Sequence, residues 1–149
     1  MSVTATIPDL WPEAVKPHSS QITPRAILES QANYLTKKTE GLISGEVVVR
    51  TVDARLFHDF YLRVPRLDEY RFLMFTVVQL QHELYPVAII DEVTHYPKEP
   101  SAQMTYLKDK IFGQECNDQQ SFTERLRELF QHPRSIKIID SLVAQSAQG

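Results

Sequence analysis

Tyr70-Arg71-Phe72-Leu73-Met74-Phe75-Thr76-Val77-Val78 decides how this chain folds. β-Branched and aromatic residues fill the stretch, and neither glycine nor proline interrupts it, so it reads as a strand. Side chains alternate along a strand, which puts Phe72, Met74 and Val78 on one side and Leu73, Phe75 and Val77 on the other. Both sides are apolar, and a strand of that kind is normally covered on both. Each large side chain left in water would forfeit roughly 1.5–3 kcal/mol. The second side therefore needs a cover: helices on both faces, an N-terminal arm, or another subunit.

Three further runs flank this strand. EVVVRTV (46–52), LFHDFYLRV (56–64) and YPVAIIDEV (85–93) share its composition. In the second, Leu56, Phe60, Leu62 and Val64 share a side with His58, and Phe57, Asp59, Tyr61 and Arg63 lie opposite. The connections PRLDE (65–69) and QLQHEL (79–84) are too short for a parallel crossover, so neighbouring strands run antiparallel. A four-stranded antiparallel meander is expected from Gly45 to about Thr94.

Outside the meander the period becomes helical. Thr23-Pro24 reads as an N-cap and first helical residue, followed by RAILESQANYLTKKTEG (25–41), with Ile27, Leu28, Tyr34 and Leu35 on one stripe. Lys37 and Lys38 suit the negative end of the helix dipole, and Gly41 supplies a stop. Three helices are expected after the strands. Met104, Leu107, Ile111 and Phe112 form the first stripe. SFTERLRELF (121–130) forms the second, with a capping box between Ser121 and Glu124. Ile136, Ile139, Leu142 and Val143 form the last, beyond Pro133. The fold class is α+β: one helix, four strands, three helices, in a single domain over 23–149.

Residues 1–22 hold Pro8, Pro12 and Pro17 and read as an extended arm. Its segment Ile7-Pro8-Asp9-Leu10-Trp11-Pro12 carries the only tryptophan. The plainer expectation is a strap packed on its own domain. The functional one is an interface in which Ile7, Leu10 and Trp11 reach a neighbouring subunit or a different protein.

Composition excludes much chemistry. The chain has 149 residues, 42% hydrophobic and 23% charged, with a formal charge of −3, which gives no global attraction to nucleic acid or anionic lipid. Cys116 stands alone, so neither an intrachain disulfide nor a thiolate-rich zinc site can form. Four glycines, at 41, 45, 113 and 149, spell neither a P-loop nor a dinucleotide fingerprint. No G-x-S-x-G elbow occurs, and His82-Glu83 lacks the second histidine of a zinc-protease helix. No continuous apolar run approaches membrane-spanning length, and a cytoplasmic location is expected.

Of five histidines, His58 sits on the apolar side of its strand, where a neutral, hydrogen-bonded imidazole is the plain expectation. Arg63, Arg66 and Arg71 gather around one tight connection with Asp68 and Glu69, which reads as an ion-paired hairpin tip. Acidic neighbours Glu115 and Asp118 argue against a reactive Cys116 thiolate. The missing chemistry and the spare apolar surface favour a protein–protein interaction or assembly module, a homodimer among the options, with no cofactor. The alternative is a small-molecule-binding protein or an unconventional enzyme. Its pocket would lie between the sheet and the C-terminal helices, with His58, Tyr61, Asp91 and His95 as polar groups.

Overall fold

The computed structural model describes residues 6–93 and 113–148. The elements run α1 (Pro24–Lys38), β1 (Ser44–Val52), β2 (Arg55–Val64), β3 (Tyr70–Leu80), β4 (Val87–Asp91), β5 (Gln114–Cys116), α2 (Gln119–Gln131) and α3 (Pro133–Gln148). The class is α+β, and the sheet is an antiparallel meander in the order β1-β2-β3-β4-β5. It has five strands rather than the four expected. The fifth, Gln114-Glu115-Cys116, pairs with Val87–Ile89 of β4. Two helices follow the sheet among the described residues, and the third expected one, around Met104–Phe112, lies outside them.

Local chemistry explains the boundaries. Thr23 caps α1 through its Oγ1, which accepts from the Ala26 N–H at 3.1 Å, and Pro24 fills the first helical position. Glu40 and Gly41 take left-handed backbone (φ +51° and +81°) just past the helix end. α2 is capped one turn earlier than Ser121 and Glu124 implied. Asp118 accepts from the Ser121 N–H at 2.7 Å, while the Ser121 hydroxyl accepts from the Asp118 N–H at 3.2 Å. The shift follows from side-chain length: an aspartate three residues upstream reaches the free N–H groups that begin the helix. Asp53 and Ala54 close β1 onto β2 in a two-residue turn, both with positive φ (48° and 61°).

The deciding strand departs from strict alternation. Phe60 pairs with Phe75 but Tyr61 pairs with Leu73, so Met74 is an extra residue, a β-bulge. The bulge puts Met74 and Phe75 in the same core, with Phe72 and Val77, instead of on opposite sides. Leu73, Thr76 and Val78 face the other way. That corrects the expected grouping, and the cause is a ring stack. Phe60 and Phe75 lie parallel at 4.9 Å between centroids, and Phe130 of α2 closes on each at 5.9 Å.

The main core lies between the sheet and the three helices, around Leu28, Ile43, Leu62, Phe75, Ile89, Phe122 and Leu129, all fully buried. The opposite face of the sheet is buried too: Val78 is 0% and Ile90 6% exposed, packed with Phe57 in a second cluster. β3 is thus covered on both sides, as its composition requires. The arm's Ile7, Leu10 and Trp11 do not supply that cover. They are 81%, 83% and 74% exposed, so the strap packed on its own domain is not what the chain forms. Further along the same arm, Val15 and Ile22 are exposed as well.

Candidate functional site

Of the four polar residues expected to share a pocket, the three that the structure describes, His58, Tyr61 and Asp91, are not brought together. His58 and Asp91 are on the helix-covered face, on β2 and β4 with β3 between them. Tyr61 is on the opposite face, stacked under the Arg71 guanidinium at 4.0 Å. His95 lies outside the described residues.

Each of the three has a structural occupation. His58 is buried, and its Nε2 lies 2.9 Å from Gln79 Oε1. The Gln79 Nε2 donates to the Glu83 carbonyl at 2.9 Å, which turns Oε1 toward the imidazole and fixes the proton on His58 Nε2. Nδ1 is buried with no hydrogen-bond partner among the described residues. Burial dominates and holds the imidazole below its usual range, with the Arg25 charge acting in the same direction; the Gln79 bond, Asp59 and Glu29 oppose them. His58 is therefore the neutral core histidine expected of its position.

Asp91 is fully buried at the end of β4, where its Oδ1 accepts from the Val93 N–H at 3.0 Å and its Oδ2 from Arg125 Nη2 at 3.2 Å. Arg125 Nε also donates to Gln114 Oε1. One guanidinium thus fastens α2 to the ends of β4 and β5. The sequence held a sign of this pairing: Arg125 interrupts the stripe Phe122, Leu126, Leu129, where an isolated charge would be costly. Beside this pair, burial pushes the Cys116 thiol up to about 11, outweighing the Arg125 charge.

Arg50, Arg63 and Arg71 form ion pairs. Asp59, buried on the outer face, takes Arg50 Nε at 2.6 Å and Nη2 at 3.1 Å, and accepts the Thr76 hydroxyl at 2.8 Å. Glu46 bridges Arg71 (2.5 Å) and Arg63 (3.6 Å), and Glu69 takes Arg63 at 2.6 Å. The expected ion-paired hairpin tip is present at Arg63 and Glu69. Among the described residues, no three His, Cys, Asp or Glu side chains converge as metal ligands, and no helix is long and apolar enough to cross a membrane.

Among the described residues, a groove and the arm are open to a partner. A groove of about 250 Å³ opens between α1, the sheet and the C-terminal helices, with Tyr34, Leu35, Phe60, Met74, Phe130 and Ile139 in its walls and Gln31 and Lys38 at its polar positions. It occupies the place expected for a pocket, but His58, Tyr61 and Asp91 do not line it. A neighbouring depression on α1 and α2 adds Arg127. Sequence reading missed this groove because its walls come from five separate elements. Compared with protein families, curated proteins and solved structures, the chain matches none.

Proposed function

We propose that this protein works by protein–protein assembly, with the N-terminal arm as a docking peptide received by the groove of a second copy. The observation that carries this reading is the exposure of Ile7, Leu10 and Trp11 (81%, 83% and 74%) on an arm whose prolines restrain it before it binds. Charge supports it: the arm carries Asp9 and Glu13, and the groove and its neighbour carry Lys38 and Arg127. The groove's apolar walls have room for one large ring.

Trp11 is its own reporter, being the only tryptophan. Its fluorescence should shift to the blue as protein concentration rises, and deleting residues 1–20 should lower the mass in solution at the same concentrations. A solvent-exposed emission maximum at every concentration, with a mass indifferent to the deletion, rejects the reading. The second reading puts a small apolar molecule in the same groove, favoured by its ring-lined walls. An apolar ring compound that raises the unfolding temperature of the arm-deleted chain, and fails to do so with Met74→Trp, would support it.

A further inference from the structure

We propose that the exposed edge of β1 is a self-complementary dimer seam, along which a second copy of this chain adds its own β1 antiparallel, with Val48 on the two-fold axis. The proposal rests on the reading that the protein assembles with itself, but it uses a surface separate from the arm and groove.

β1 is an end strand of the sheet, bonded on one side to β2. The Gly45 N–H points away from β2 and is taken by Thr36 Oγ1 at 3.1 Å. Backbone groups of alternate residues leave a strand on the same side, so those of Val47, Val49 and Thr51 point outward from the sheet. Among the described residues no backbone group meets them. Long, valine-rich edges are templates for another strand, and proteins that stay monomeric blunt them with proline, bulges or inward-pointing charges. Within Ser44–Val52 none of these devices occurs.

Register follows from charge. Outward-pointing residues must face outward-pointing residues, which allows only a few alignments of β1 with its own copy. Centring on Val48 sets Glu46 of each copy opposite Arg50 of the other and Val47 opposite Val49, and leaves the Gly45 N–H on Thr36 at each end of the seam. Shifting by one allowed step either way leaves both charges facing apolar or small neighbours. A second step brings Glu46 onto Glu46 or Arg50 onto Arg50. Glu46 and Arg50 lie on the outer face of the sheet, 35% and 53% exposed while they hold their partners within the chain, so the new pairs extend an existing charge network.

α1 meets the edge at Gly45, where Ala32 lies against the strand and Thr36 takes the N–H. Under the two-fold, Gly45 falls opposite Thr51 of the second copy, so these two helix contacts stand at opposite ends of the seam.

The test is a cysteine scan in a Cys116→Ala background. Opposed Val48 residues form a non-hydrogen-bonded pair with Cα atoms about 4.5 Å apart, within disulfide reach. Val48→Cys should cross-link to a covalent dimer under mild oxidation, while Glu46→Cys and Arg50→Cys, each far from its own copy, should not cross-link singly and should do so when mixed. Equal cross-linking at all three sites, or at none, overturns the register. Val49→Pro is the companion variant, since it removes an outward N–H and leaves the β2 ladder intact; with its far-ultraviolet spectrum unchanged it should be monomeric where wild type is dimeric. A dimer that survives Val49→Pro but is lost with residues 1–20 leaves the arm reading standing and removes this one. A dimer that persists without the arm and dissociates with Val49→Pro does the reverse.

Discussion

Gly45 lies against Ala32 so closely that a Cβ added to it would stand 2.5 Å from the Ala32 Cα and 2.7 Å from its carbonyl oxygen. β1 and α1 touch there backbone to backbone, and no side-chain rotation can relieve the overlap. Gly45→Ala should push α1 off the sheet and cost about 1–3 kcal/mol, the range for overpacked sites. Chemical denaturation would show it as a lower midpoint. An unchanged midpoint would mean that the helix and strand are not in contact at this point.

The turn between β1 and β2 carries the opposite opportunity. Ala54 holds φ +61°, a conformation that strains an L-residue and suits glycine. Ala54→Gly should stabilise the protein by about 0.5–1 kcal/mol, despite the added freedom of the unfolded chain. Asp53, also at positive φ, has a side chain tolerated in such turns and is best left alone.

Breaking the buried pair should be the most damaging single change. Arg125→Met leaves the Asp91 carboxylate enclosed and short of its cation, with a loss of about 3–5 kcal/mol. Adding Asp91→Leu should recover much of that loss, because neither charge then needs solvating. A double mutant no better than Arg125→Met would show that the pair is not what joins α2 to β4.

Acid should weaken the fold through His58. Its folded value lies below the ordinary 6.5, so as pH falls below 6.5 the unfolded chain takes up a proton that the folded protein refuses. Stability is greatest above that pH and declines on the acid side, by up to about 1.4 kcal/mol per pH unit for one proton. Protonation would add a donor at Nδ1, where no acceptor is in place among the described residues. His58→Gln should be less stable at neutral pH yet show a flatter stability profile between pH 6.5 and 5. An unaltered slope would assign the acid sensitivity to other groups.

Cys116 should behave as an inert thiol. With its acidity pushed to about 11 by burial, it should resist a thiol reagent near neutral pH in the folded protein and react fully once denaturant is added. Rapid labelling of the folded form would contradict the position of β5 against β4.

Features set by neighbours in sequence were legible there. The Thr23 cap, the stop at Gly41 and the short antiparallel connections depend on a few adjacent residues. What depends on distant partners was not. Met74 becomes an extra residue because Phe60, fourteen positions earlier, stacks on Phe75. Gln114-Glu115-Cys116 has no alternation of its own, and β4 makes a strand of it. For the site, the exposed arm residues stood out as unusual in the sequence, whereas the groove walls emerge only when the elements pack, and of the Asp91–Arg125 pair, 34 residues apart, the sequence shows only the charge that interrupts the α2 stripe.

The bulge at Met74 gives β3 two halves that are out of phase with each other. Excising that one residue would bring the halves into phase and turn neither over: Leu73 and Phe75 would become consecutive opposite Tyr61 and Phe60, with Phe72, Phe75 and Val77 still inward and Leu73, Thr76 and Val78 still outward. A single-codon deletion here thus costs one buried side chain and the bend of the bulge, which makes this position more tolerant of length change than the paired positions on either side of it.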